Sequence, residues 1–148
     1  SKLSIGVDYV PYALESETRE DNRDDLSGAT ARADVVNKVQ LDFEDLLTFY
    51  VNLNLTENFY VKGGITQVDV ITNETLGTGS AYGNTSLDGT VYGVGYHKNF
   101  DNGNFFRAEG NVMEFDGAKL TSTTNADNTV TMSKIDGASG KISVGRTF

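Results

Sequence analysis

The stretch Asp34–Leu55 reads DVVNKVQLDFEDLLTFYVNLNL. Nine of its eleven odd positions are apolar (Val35, Val39, Leu41, Phe43, Leu47, Phe49, Val51, Leu53, Leu55), while the even ones include Asp34, Lys38, Gln40, Asp42, Glu44, Thr48, Asn52 and Asn54. A period of two is the signature of a strand, because successive side chains point to opposite faces. The phase runs unbroken across Glu44-Asp45, so one very long strand is expected; a hairpin at that point is the competing reading. At about 3.3 Å per residue, such a strand is long enough to outreach a bilayer.

Outward from this stretch the same alternation returns. Leu3, Ile5, Val7 and Tyr9 oppose Ser4, Gly6 and Asp8; Tyr92, Val94 and Tyr96 oppose Gly93, Gly95 and His97; Phe106, Ala108 and Val112 oppose Arg107, Glu109 and Asn111. Each is a two-faced strand. Phe59 to Val70 is expected to be a further strand broken by Gly63-Gly64, and Thr129 to Phe148 a last one interrupted near Gly137 to Gly140. No segment shows a helical period.

The composition agrees and narrows the functions. With 148 residues the chain is one domain. Sixteen glycines, one proline and abundant Thr, Val, Tyr and Phe suit an all-β chain. The net charge of −9 disfavours binding to nucleic acid. Without cysteine there is no disulfide framework and no thiolate metal site. No run of about 18 apolar residues is present, which excludes a transmembrane helix. A patterned segment starts almost at Ser1 with no leader before it, so the expectation is a processed mature protein or a missing upstream part.

Connections alternate in length. Long polar stretches (Glu15 to Arg32, Thr72 to Asp88, Asp116 to Asn128) alternate with tight ones at Thr56-Glu57-Asn58 and Asp101-Asn102-Gly103. Long and short ends therefore lie on opposite sides, the arrangement of transmembrane β-barrels, with both chain ends on the short side. Phe59, Tyr60, Tyr96, Phe100, Phe105, Phe106 and Phe148 cluster near that side as a candidate interfacial girdle.

The closing segment Lys141-Ile142-Ser143-Val144-Gly145-Arg146-Thr147-Phe148 resembles the last strand of Gram-negative outer-membrane barrels. In that family the terminal aromatic is read by the barrel-assembly machinery, a role that the resemblance transfers to Phe148. Arg146 departs from the pattern, since its outward position usually carries tyrosine or another apolar residue; at a rim it can snorkel. The whole chain is similar to small OmpX-like and OmpA-transmembrane-like barrels of the marine alphaproteobacterial type. Leu55 to Gly64 and Tyr96 to Phe100 are similar to their periplasmic turns with flanking strands. The resemblance implies a location in the bacterial outer membrane, with its lipid and lipopolysaccharide and the assembly machinery as partners. It implies fold more than activity.

Candidate sites are few. His97 is the sole histidine, and no Ser-His-Asp or metal-ligand spacing accompanies it, so it reads as a polar filler. Neither an enzyme nor a cofactor is expected. Asp8, Lys62, Arg107, Glu109 and Asn111 fall on the face opposite the apolar residues. If the apolar face meets lipid, they fill the lumen and must pair or reach water. Arg107 is expected to pair with Glu109 or another buried acid, with Lys62 and Asp8 completing the network. Glu15 to Asp25, with six acidic and two basic residues, reads as a solvated loop.

The sequence thus predicts an antiparallel up-and-down transmembrane β-barrel with a structural or surface-interaction role, a polar-filled lumen and acidic external loops. Six strands are clear, whereas about eight make an interior wide enough for Tyr50, Lys62, Arg107 and Glu109. An upstream hairpin is therefore expected to be absent from this chain or supplied by another. The competing count reaches eight by splitting the two long stretches. Alternation leaves open which face is inside. A soluble secreted barrel binding a small apolar ligand, a narrow passive channel, and an extracellular fibre or virion subunit fit the same pattern, as does a homo-oligomer.

Overall fold

The computed structural model describes residues 2–12, 14–27, 30–77, 79–124 and 126–146, with 22–35 described through their backbone alone. The strands in chain order are β1 (Leu3–Val10), β2 (Leu14–Glu15), β3 (Arg19–Ser27), β4 (Thr30–Asn54), β5 (Phe59–Thr75), β6 (Thr85–Asn99), β7 (Asn104–Phe115), β8 (Ala118–Thr121), β9 (Thr129–Met132) and β10 (Ile135–Arg146). The fold is all-β. An antiparallel sheet runs β1-β4-β5-β6-β7-β10, and β2 and β3 follow β1 along β4. β8 and β9 form their own two-stranded ribbon.

β1 and β10 are the edges, and among the described residues no backbone ladder joins them. Their side chains nevertheless meet: Lys141 Nζ lies 2.8 Å from Asp8 Oδ1. The sheet is curled until the inner faces of its two edges touch.

β4 is one strand through Asp34–Leu55, up to Asn54. Leu47–Asn54 pairs with Tyr60–Gln67 and Lys38–Glu44 with Asp69–Thr75, so the two halves do not fold back on each other. The register slips between Glu44 and Leu47, where Asp45 and Leu46 together oppose Val68 alone. This is a β-bulge. Asp45 has φ of 52°, in the left-handed region that Asp tolerates better than most residues. The extra residue inverts the meaning of parity along β4. Above the bulge the odd Leu41 and Phe43 face inward, against the apolar cluster; below it the even Thr48 and Asn52 are buried, and the odd Phe49, Val51 and Leu53 are exposed.

The other strands make the same inversion without a bulge, through residue choice alone. On β5 the inward row is Tyr60, Lys62, Gly64 and Thr66, then Val68 and Val70; the outward row is Phe59, Val61 and Ile65, then Gln67 and Asp69. β6 carries Leu87 and Val91 inward above and Gly93, Gly95 and His97 below. β7 carries Phe115 and Met113 above, then Asn111, Glu109 and Arg107. Val68, Val70, Leu87, Val91, Met113 and Phe115 form one buried cluster. Leu46, Ala118, Met132 and Ile135 pack against it. An apolar core thus sits in the upper half, beside the longer connections.

Several expectations are corrected. Glu15 to Arg32 is not a long loop: β3 and the start of β4 form a hairpin, from Arg19↔Val39 to Ser27↔Thr30. Its acidic residues have low strand propensity, but a long neighbour offers a ladder, and Lys38 pairs with Glu20 across it at 2.6 Å. β5 passes unbroken through Gly63-Gly64 and reaches Thr75, shortening the following loop to 76–84. β10 passes unbroken through Gly137 to Gly140 because β7 supplies a partner at every step; the interruption lies at Ser133-Lys134. Asp116 to Asn128 contains β8.

Both tight turns are present. The Thr56 hydroxyl accepts from the backbone N–H of Asn58 and Phe59, and Gly103 takes the positive φ of 82° that its turn requires. The described chain ends lie on this side: Lys2 accepts from Asn54 N–H, and Arg146 pairs with Asn104. The aromatic group divides. Phe59 and Tyr96 stack edge to face on the outer surface, 5.1 Å between centroids, whereas Tyr60 and Phe105 turn inward. Phe148 lies outside the described residues.

Candidate functional site

The lower inner face is a charged, hydrogen-bonded cluster. Lys62 Nζ on β5 donates to Glu109 Oε1 on β7 at 2.5 Å and to Asp8 Oδ2 on β1 at 3.3 Å, and sits 3.8 Å above the Tyr50 ring. Tyr60 donates its hydroxyl hydrogen to Glu109 Oε2 at 2.5 Å. Asn111 Nδ2 donates to Glu109 Oε1 at 3.0 Å and to Ser139 Oγ at 3.3 Å. Lys141 closes the cluster from β10 through Asp8. Charge and burial are graded: Lys62 and Glu109 are buried, while Asp8 and Lys141, at the meeting of the two edges, are partly open.

This arrangement depends on β6, which lies between β5 and β7. Lys62 pairs with Gly93 and Tyr60 with Gly95 in the β5–β6 ladder; Gly93 and Gly95 pair with Asn111 and Glu109 in the β6–β7 ladder. With no side chain on either glycine, Lys62 and Tyr60 reach over β6 to its far neighbour. A Cβ on Gly95 would run into the Tyr60 ring, and one on Gly93 into the Asn111 amide. The repeat Tyr92-Gly93-Val94-Gly95-Tyr96 therefore puts bulk outside and a passage for polar side chains inside.

Of the five expected inner residues, Asp8, Lys62, Glu109 and Asn111 are joined in one chain of contacts, Asp8 to Lys62, Lys62 to Glu109 and Glu109 to Asn111. Arg107 shares their face, but the partner of Glu109 is Lys62, and Arg107 Nε is buried without a hydrogen-bond partner. Two positions along one strand bring two residues to the same face; they do not bring them to the same neighbour. Tyr60 and Lys141 were missed. Their signals were the pairing of a large residue with Gly95 and the inward phase Ser139, Lys141, Ser143 on β10. His97 lies opposite Arg107 in the β6–β7 ladder, with its Nε2 3.0 Å from Asn99 Oδ1. Among the described residues no group of three His, Asp or Glu is placed to hold a metal ion.

The outer surface at this level is apolar and accessible. Ile5 is 82% exposed, Ile142 and Val144 76% each, and Val94 66%; Leu3, Val7, Phe49, Val51, Leu53, Ile65, Tyr92 and Val112 accompany them. The surface spans β1, β4, β5, β6, β7 and β10. Leu47 to Leu55 covers about 27 Å along the strand, or about 20 Å in height at a tilt of ~40°. Comparison with protein families, curated proteins and solved structures finds no match for this chain.

Proposed function

We propose that the chain is a transmembrane β-barrel of the bacterial outer membrane, with a structural or surface-interaction role and no catalytic one. The observation that carries this reading is the apolar surface on six neighbouring strands, set directly behind a buried cluster of ion pairs. An apolar exterior of this extent is unfavourable in water, where contiguous exposed patches rarely exceed a few hundred Å². In lipid it is the required surface, and the height resembles the apolar band of such barrels, about 25 Å. The strand hairpin and the longer connections at the other end, rich in acidic and small polar residues, then extend from the membrane on the outside. Lipid and lipopolysaccharide surround the band, and Phe148 serves the assembly machinery. The bridge from Lys62 to Glu109 fills the interior, which favours a plugged barrel over a passive channel. A soluble barrel with its apolar face inward requires the opposite orientation of Val51 and Asn52.

Single spin labels at these two positions test the reading in lipid bilayers. Val51 is expected to be reached by a lipid-soluble quencher and Asn52 to be shielded from it, with the fold lost when detergent and lipid are removed. A monomer that stays folded in plain buffer, or the reverse accessibility, overturns it.

A further inference from the structure

The upper end holds a cleft of 610 Å³ between the inner face of β4–β5 and the β8–β9 ribbon. This is within the range of small-molecule sites. Its walls include Leu41, Leu120 and Met132, and three polar side chains converge on it: Asn37, Thr72 and Glu74. Glu74 pairs with Val39 in the ladder and Thr72 with Leu41, so both point to one side of β5; Asn37 is two residues along β4, on the same face.

Each of the three has unused hydrogen-bonding capacity. Asn37 is 4% exposed; its Oδ1 accepts from Gly77 N–H at 2.9 Å, which orients the amide, while its Nδ2 is buried without a partner. Glu74 Oε1 accepts from Tyr82 N–H at 2.5 Å, and Oε2 is buried without a partner. Thr72 Oγ1 is likewise buried and unpartnered. A buried polar atom left in this state costs free energy, more so on a carboxylate, and such atoms in a roomy cleft are a cause to look for a ligand. No lysine or arginine is among the described residues lining the cleft, and Asp127 adds a second carboxylate.

We propose that this cleft binds a small organic ammonium compound. As the two side chains turn toward the cleft, the ammonium donates to Glu74 Oε2 and a hydroxyl or carbonyl oxygen beside it accepts from Asn37 Nδ2, while the apolar body lies on Leu41, Leu120 and Met132. The Glu74 carboxylate repels anions. The site lies above the apolar surface and does not depend on the membrane reading.

The test uses the full chain, in buffer or nonionic detergent, whichever keeps it folded and monomeric. It is titrated with 2-amino-1-phenylethanol and, separately, with 3-phenylpropionate, by calorimetry and by amide chemical shifts. Saturable one-to-one binding of the amine is expected, with shifts centred on Asn37 and Glu74 and no binding of the acid. Glu74→Gln should weaken the amine about tenfold or more, as loss of a charged hydrogen bond does, whereas Glu114→Gln, on the outer face, should leave it unchanged. If Glu74→Gln does not fold, Leu120→Trp, which fills the cleft and keeps the carboxylate, must abolish binding instead. Absence of saturable binding, equal binding of amine and acid, or binding indifferent to the folded variant overturns the proposal.

Discussion

The lower and upper halves of the same strands are opposites. Below the level of Thr66 the side chains facing inward are Lys62, Glu109, Asp8 and Tyr60, and those facing outward are Phe59, Ile65, Val94 and Val112. Above it Val68, Val70, Leu87 and Phe115 face inward, while Gln67, Asp69, Asp88 and Glu114 face outward. Outward polar pairs recur there, Gln67 with Asp88 and Ser86 with Asp69. The backbone is continuous across the boundary, so the two halves differ in which face carries the apolar residues and not in secondary structure. A strand records only that its two faces differ; the medium at each level decides which kind of residue belongs on which face. The upper half has an apolar interior and a polar outer face, and the lower half has the reverse, which is the contrast that the proposed membrane reading rests on.

The largest expected effect is on the lower half. Lys62→Met leaves Glu109 buried without its cation and should destabilise the fold by about 3–5 kcal/mol. Lys62→Met combined with Glu109→Leu should recover most of that loss, as replacing a whole buried pair often does. Denaturant midpoints of the single and double variants decide; an unchanged midpoint for the single variant would mean that the cluster is solvated and the two interiors are not opposites.

The outer faces can be compared directly. Val94→Arg places a charge in the lower apolar band and should cost about 2–4 kcal/mol when the chain is folded into lipid vesicles. Gln67→Arg, outward but above the boundary, should stay within about 0.5 kcal/mol. Equal costs at the two positions, read from unfolding titrations in the same vesicles, would remove the boundary altogether.

Gly95→Ala sharpens the account of the inner face. Its Cβ meets the Tyr60 ring, so Tyr60 must move away from Glu109, with an expected loss of about 1–3 kcal/mol. Tyr60→Phe in the same background should add little, because the hydrogen bond is already broken. Full additivity of the two changes in a thermodynamic cycle would show that the ring can shift without losing its partner.

The smallest effect is expected at the bulge. Deleting Asp45 leaves Leu46 alone opposite Val68, so that Phe43 still faces inward and Leu47 still faces outward on a regular ladder. A change within about 1 kcal/mol is expected from thermal unfolding, since the positive φ is relieved as the bulge is lost. A chain that no longer folds would show that the twist of the bulge, and not only the parity it restores, is needed to curl the sheet.

From the sequence alone, Asp34–Leu55 was legible as a single strand and the two tight turns as turns. These depend on neighbours in the chain, through a two-residue period and the turn chemistry of Thr56 and Gly103. The polar rows on β5 and β7 were legible for the same reason, as residues sharing a face. Tertiary structure decided the rest. Most odd positions of β4 are apolar on both sides of Asp45, and only the bulge there, where the register with β5 slips, turns them inward above and outward below. The acidic Arg19–Ser27 is a strand because β4 extends beside it, which no local propensity announces. Lys62 meets Glu109, ahead of Arg107, because two glycines on an intervening strand let it cross, and Asn37 and Glu74 line one cleft because two strands align. Such contacts join residues far apart in the chain, and a pattern read along one strand carries no information about the strand two places away.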